Sequence, residues 1–315
     1  MPHPEYGASM PAGQYAPWTA GRAESDPRWS QDSCPDAERE HSRALATSLA
    51  LAILEIDARI ARDAAILADV HACVPFALLL EGERRLIDAG LVREVAARLR
   101  ASSPSGRLLV LLSGRGGEVA SAALLAEEFA RRAPRRLLVG VVGAVHSATT
   151  LAALAADALL MAPTSSLGPY DPHRPRAAGA GDATSPLDLL AGCDAIEEQQ
   201  RRGNDAVAAH LLARLPSPAC IGQQLRAQDA VEEIAARLLR RRMIPQPARA
   251  RAAASALGRG HGVHDATIGA ADAARLGLVV RRDPASERLL DGLAALDAER
   301  AALWRGLARL LAAPA

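Results

Sequence analysis

The 315-residue chain has no lysine, so all 37 of its basic residues are arginine. That absence excludes any mechanism built on a lysine base, a Schiff-base lysine or a phosphate-loop lysine. Together with abundant alanine, it reads as GC-rich codon bias rather than an adaptation. Cysteine is also scarce. Cys34, Cys73, Cys193 and Cys220 stand far apart and form no CxxC pair, which argues against a zinc knuckle or disulfide framework and for reduced, structural thiols. Net charge is nearly missing too: 37 basic against 36 acidic residues leave +1, so no global field marks a nucleic-acid or anionic-membrane binder. A protein, peptide or small-molecule substrate is the more natural partner. Long apolar runs are absent: the longest early one, Leu49 to Ile56, already contains Glu55, and none approaches the ~20 residues of a membrane helix. The first forty residues have no basic start followed by an apolar stretch. The expectation is a soluble cytoplasmic protein with no integral membrane segment. No fixed-period repeat is visible.

What is present is a globular composition, with 50% hydrophobic residues and enough length for one or two cores. Residues 1–40 hold Pro, Gly, Ser, Tyr and Trp without periodicity and read as a disordered leader. Residues 41–72 carry Leu45, Leu49, Ile53, Ile56, Ile60 and Ile66 at helical spacing, an amphipathic arm whose default role is packing or dimerising. Residues 73–282 alternate strand and helix. Val74 to Glu81 is an apolar run, and Arg84 to Leu99 is amphipathic. Arg107 to Leu112 predicts a buried strand, Glu118 to Arg132 a helix and Leu137 to Val142 a second strand. Ser147 to Ala156 predicts a short helix and Ala158 to Met161 a third strand. Such alternation with short links implies an α/β core of mostly parallel strands. Residues 172–192 predict a loop or lid, Asp194 to Leu215 and Gln224 to Arg242 predict helices, and 283–315 a C-terminal helix.

Two turns fall at the carboxyl ends of neighbouring strands, where open α/β sheets place ligands. Ser113-Gly114-Arg115-Gly116-Gly117 lets backbone approach a ligand and direct N–H groups at it, as an oxyanion hole requires. Gly143 to Thr150 puts Ser147 at the first turn of the next helix among small residues, exposed and near unsatisfied amides. Either turn alone is more often a tight turn or an N-cap serine. Their combination with Leu154 to Pro163 and Ser165-Ser166-Leu167-Gly168-Pro169-Tyr170-Asp171-Pro172 changes the balance.

Over about residues 80 to 280, in order and spacing, these stretches resemble the ClpP-class serine peptidases. Within them the likeness is to the serine dehydrogenase proteinase and signal peptide peptidase A relatives. Arg115-Gly116-Gly117 stands where those proteins have Pro-Gly-Gly, and Val145 to Thr150 where they have Met-Ser-Gly/Ala-Gly-Thr. Ala155 to Met161 matches their Ala-Ala-Asp-Glu-Ile strand, and Ser165 to Pro172 their Ser-x-Leu-Gly-Pro-Ile-Asp-Pro loop. The likeness continues through Val231 to Met243, through His264-Asp265-Ala266-Thr267-Ile268 and through Ala273 to Leu278. The resemblance implies a ClpP/crotonase-like α/β spiral of βα units with flanking helical arms. It implies a serine peptidase with Ser147 as nucleophile, and oxyanion donors at Gly116, Gly117 and the Ala148 amide. It also implies no cofactor and assembly into a homo-oligomer.

The base remains open. The lysine of the signal peptide peptidase A relatives has no counterpart, so a histidine is the ordinary choice near neutral pH. Of eight histidines, His264 beside Asp265 is slightly preferred and His173 follows closely. Asp171 would orient the base, and His146 ranks last because a residue adjoining Ser147 points elsewhere. Asp157 reads as a helix-end residue. The departures at Arg115, His146, Ala148 and Thr149 keep a second reading open: a catalytically impaired member of the fold acting as a scaffold or interaction protein. A crotonase-like acyl-CoA enzyme is a third, disfavoured because no paired glutamates occupy the turns. A dinucleotide site lacks its third glycine, and His261-x-x-His264-Asp265 lacks a fourth zinc ligand.

Overall fold

The computed structural model describes residues 36–80, 85–102, 106–170, 185–260 and 266–312. Its centre is a parallel sheet in the order β1 (Val74–Leu79), β2 (Arg107–Gly114), β3 (Arg136–Val145), β4 (Ala158–Met161) and β7 (Val280–Arg281). Two further short strands sit over the end of β3. β5 (Ser166–Leu167) extends alongside Ala144 and Val145, and β6 (Ile268–Gly269) pairs antiparallel to β5. The predicted α/β class with mostly parallel strands is what the chain adopts.

The strands are apolar on both faces because both faces are covered. On β2, Leu108, Val110 and Leu112 enter one core layer, and Leu109 and Leu111 enter the other. The first layer is closed by α2 (Ala89–Ser102), α3 (Val119–Arg132), α4 (Ala148–Ala153), α7 (Pro218–Arg241), α8 (Pro247–Arg259) and α9 (Ala270–Arg275). On α3 the buried residues Ala122, Leu125, Ala126 and Phe129 recur at helical spacing and form its inward stripe. The second layer is closed by α1 (Asp36–Val70), through Ile56, Ile60, Ala64 and Leu67, and by α10 (Pro284–Ala312), through Leu290, Leu293 and Leu296. Helix starts follow side-chain capping. Asp88 accepts from the Leu91 amide at 2.7 Å. Ser185 and Ser217 cap α5 (Pro186–Arg201) and α7, each with proline in the first turn.

Several boundaries differ from the sequence reading. The helix expected over 194–215 is two, α5 and α6 (Asp205–Leu212), split at Gly203, whose φ is +76°. α5 also begins inside the stretch 172–192 predicted as loop or lid. Residues 1–35 of the leader, 172–184 of that loop and residues 261–265 lie outside the described residues, and α1 begins at Asp36, inside the stretch read as leader. Helix α8 and strands β5 to β7 had no counterpart in the sequence reading. Among the described residues no helix is long and apolar enough to cross a membrane, and no group of three or more His, Cys, Asp or Glu gathers to hold a metal ion.

Charged groups stitch α10 to the carboxyl end of the sheet. Ser113 Oγ donates to Asp297 Oδ2 at 2.8 Å, and Arg300 Nη2 donates to Asp297 Oδ1 at 2.9 Å and to the Leu79 carbonyl at 2.8 Å. Arg300 Nη1 reaches Asp57 of α1 at 3.2 Å. Buried charge is tolerated here because it is paired and hydrogen-bonded. The residue held in this way, Ser113, opens the glycine-rich turn.

Candidate active site

β2 and β3 run in register until Leu112 and Val141, then shift so that Gly114 faces Val145. The shift brings the two turns side by side. The His146 amide donates to the Gly114 carbonyl at 2.9 Å, continuing the ladder one step further. Gly116 then packs directly on Ser147. A methyl group built on Gly116 would stand 2.9 Å from Ser147 Cβ, 3.2 Å from Ser147 Oγ and 3.4 Å from the Ala148 nitrogen. With φ of +127°, Gly116 also adopts a backbone that a side chain strongly disfavours.

The turn is clamped from its other edge by Ile87. The Ile87 amide donates to the Gly116 carbonyl at 2.9 Å, and the Glu118 amide donates to the Ile87 carbonyl at 2.7 Å. Because peptide groups alternate in such a pairing, these bonds turn the Gly117 N–H away from Ile87. Ala148 is the first residue of α4, so its N–H has no acceptor within the helix. Gly116 and the Ala148 amide therefore adjoin the half-buried Ser147.

Ser147 occupies the N-cap position of α4 but does not cap it. Its side chain makes no cap hydrogen bond, and its backbone sits at φ 52°, ψ −124°. Among the described residues only Ala72 shares a positive φ without being glycine. Ala72 has a structural cause: it ends α1 as the left-handed residue of a Schellman turn, with the Cys73 amide donating to the Ala68 carbonyl at 2.9 Å. Ser147 has no such capping cause. A strained residue on a strand–turn–helix corner, with its hydroxyl free of capping duty, is the arrangement that presents a nucleophile.

The neighbours of Ser147 are sorted by the fold. The His146 ring lies against Gly168, where an added methyl would fall 2.1 Å from its Nδ1, so it points at the loop after β5. Thr150 Oγ1 lies 2.9 Å from the Val145 carbonyl and 2.8 Å from the Gly168 carbonyl, pinning that loop beside the corner. Thr149, which stands where the resembling family has glycine, is fully buried against Gly114 rather than over Ser147. Its Oγ1 has no hydrogen-bond partner among the described residues. The α4 start is undisturbed, since the Thr149 amide donates to the His146 carbonyl at 2.9 Å. Asp157 does more than end a helix: it accepts from the Leu137 amide at 2.6 Å and pairs with Arg242 at 2.9 Å.

The fold thus brings Gly116 against Ser147 and the Ala148 nitrogen, with Gly117 next in the chain paired to Ile87. His173, Asp171 and His264 lie outside the described residues, although Tyr170, the residue before Asp171, is buried and fixed by its hydroxyl to the Ala254 carbonyl at 2.5 Å. Sequence reasoning missed Ile87, which carries no motif, and the pinning role of Thr150. Gly168 was inside the quoted Leu-Gly-Pro stretch, but its contact with His146 had no sequence signal.

Fold and corner together define an α/β protein with a strained serine set against a glycine-rich amide edge. Among solved structures the chain is similar to a mutant of the 1510-N membrane-bound stomatin-specific protease, with a TM-score of 0.40 and 13% identity, covering 63% of this chain and 76% of that one. A second mutant of that protease, in complex with a substrate peptide, gives a TM-score of 0.40 and 13% identity over 66% of this chain and 74% of the other. No protein-family model and no curated protein matches the chain. Function is therefore read from the site itself.

Proposed function

We propose that the chain is a serine hydrolase that cleaves peptide bonds through an acyl-enzyme on Ser147. The observation that carries this reading is the Ser147 corner: a strained backbone at φ 52° and ψ −124°, with no capping bond, pressed against Gly116. In the reaction the Ser147 hydroxyl attacks the substrate carbonyl and gives its proton to a base. The carbonyl oxygen becomes an oxyanion that accepts hydrogen bonds from the Gly117 and Ala148 amides. The proton then passes to the departing amine as the C–N bond breaks. Water attacks the resulting ester, returning the proton to Ser147 by way of the same base. His264 and His173 are the two candidates for that base, with Asp171 to orient it. Two backbone donors are worth several kcal/mol of barrier, since removing one oxyanion donor typically costs roughly 10²–10³ in rate.

The test is covalent. A fluorophosphonate probe should label the wild-type chain and fail to label Ser147→Ala. Single substitutions of His264 and His173 to alanine should separate the base from the bystander, because only the base variant loses labelling. A folded wild-type protein that stays unlabelled contradicts the proposal.

A further inference from the structure

The sheet ends on one side at β1, which pairs with β2 alone. Successive residues of a strand point their N–H and C=O to opposite edges. The Leu80 amide donates to the Ser113 carbonyl of β2 at 3.0 Å. Phe76, Leu78 and Leu80 therefore turn their peptide groups toward β2, and Pro75, Ala77 and Leu79 turn theirs outward. Proline at 75 costs β1 no bond to β2, which suits an edge strand. The outward Leu79 carbonyl is taken by Arg300 Nη2 at 2.8 Å. Among the described residues the Ala77 N–H, the Ala77 carbonyl and the Leu79 N–H have no partner.

These groups are recessed. They lie on the floor of an open cavity of about 330 Å³, a volume typical of ligand sites. One wall is α1, on one face of the sheet, with Ile60 and the exposed Ala61; the other is α2, on the opposite face, with Leu91 and Glu94. From Ala77 to Leu80 the floor runs about 10 Å at the strand rise of about 3.3 Å per residue, the length of roughly three residues of extended chain.

The walls select the occupant. A helix is about 10 Å across, so a second copy, its own β1 recessed between the same two helices, cannot bring that edge within the ~4.8 Å of strand pairing. A single extended segment can enter. Its alternating side chains would meet Leu91 on one side and Ile60 on the other, both apolar. The charged lining groups are Arg85, Arg98 and Arg300 against Asp57 and Glu94. Three positive to two negative groups favour an acidic flank over a basic one.

The cleft also ends beside the Ser147 corner. A methyl built on Gly114 would stand 3.1 Å from Leu80 Cβ and 3.2 Å from Thr149 Oγ1, so one glycine separates the floor from the helix that Ser147 begins. Ser147 follows β3, two strand spacings or about 10 Å to the side.

We propose that this cleft holds an extended, apolar segment of the peptide substrate by strand addition to β1, away from the bond being cut. The identity of the occupant rests on the peptidase reading above; the capacity to bind an extended peptide does not. Either strand direction gives the same three backbone bonds. The Ala77 and Leu79 N–H groups donate to peptide carbonyls, and the Ala77 carbonyl accepts from a peptide N–H.

The probe is a fluorescein-labelled hexapeptide of alternating valine and alanine with a glutamate at each end. Anisotropy titration with the full-length Ser147→Ala chain should show saturable binding. Ala77→Pro deletes an outward N–H and spares the bonds to β2, while Ala61→Trp fills the cleft from an exposed helix position. Each, added to Ser147→Ala, should weaken binding on the order of tenfold or more, as should N-methylation of the peptide backbone. Absence of saturable binding, undiminished affinity in both variants, or equal affinity of the N-methylated peptide overturns the proposal. Self-association of the chain that Ala77→Pro abolishes would assign the edge to a second copy and overturn it too. Fluorophosphonate labelling of wild-type Ser147 without peptide binding sinks the cleft and leaves the hydrolase standing. Binding without labelling sinks the hydrolase and, with it, the assignment of the occupant as substrate.

Discussion

Replacing Ser147 by glycine and, separately, by alanine measures the strain stored at the corner. Both substitutions delete the hydroxyl, so their difference isolates the backbone. A non-glycine residue in a sparsely populated region costs about 1–3 kcal/mol, and Ser147 sits at φ 52°, ψ −124°. Glycine is free of that cost but gives up roughly 0.5–1 kcal/mol through the greater freedom of its unfolded chain. The balance leaves Ser147→Gly more stable than Ser147→Ala by about 1 kcal/mol. With a urea slope of about 3 kcal/mol per molar, the unfolding midpoint should lie roughly 0.3 M higher for the glycine variant. Ala72→Gly serves as calibration. It relieves a positive φ of 50° with a known structural cause and should raise stability by a similar ~1 kcal/mol. If Ser147→Ala equals or exceeds Ser147→Gly in stability while Ala72→Gly behaves as stated, the corner is not strained and the inference from its geometry to a nucleophile fails.

Gly116→Ala places a methyl 2.9 Å from Ser147 Cβ at a φ of +127°. It should cut labelling of Ser147 on the order of 10²-fold, the scale of a lost oxyanion arrangement, as read by probe kinetics on folded protein. Thr149→Val removes a buried hydroxyl oxygen that has no partner among the described residues. It should stabilise the chain by about 1 kcal/mol in denaturant titrations and leave labelling intact. His71 is held below the usual histidine pKa by burial, reinforced by Arg136 and Arg281 and opposed by Asp283. The folded state therefore binds its proton less readily than the unfolded state. Stability conferred above a pH of about 6.5 is lost as pH falls below it. His71→Gln should flatten the wild-type decline in urea midpoint between about pH 7 and pH 5, and an identical decline in both proteins would remove His71 as its cause.

The legible part of the fold was the part with period. β2 and β3 are strands of eight and ten residues built around the runs Leu108–Leu112 and Leu137–Val142, and the inward stripe of α3, Ala122, Leu125, Ala126 and Phe129, keeps helical spacing over two turns. β5, β6 and β7 are two residues each, too short to show alternation; β5 extends the end of β3, β6 pairs with β5, and β7 pairs with β4. α8 escaped for another reason. Its buried face is Ala250, Ala253, Ala254 and Leu257, and alanine in an alanine-rich chain carries little contrast. The buried Asp297 and Arg300 look like solvent-facing charges in a terminal helix, and only their contacts with Ser113 and the Leu79 carbonyl explain them. At the site, either turn alone reads as a tight turn or an N-cap serine, and it was the order and spacing of the whole stretch, with the family resemblance, that pointed to Ser147, Gly116, Gly117 and Ala148. Ile87 was silent, since it contributes only its backbone.

The most direct measurement of the central claim is a stopped-flow reaction of the full-length chain with p-nitrophenyl acetate, followed by peptide mapping. The account predicts a burst of one p-nitrophenolate per active chain, one acetyl group on the Ser147 peptide, and neither in Ser147→Ala. A burst with the acetyl group on another residue, or the same burst in Ser147→Ala, would contradict it.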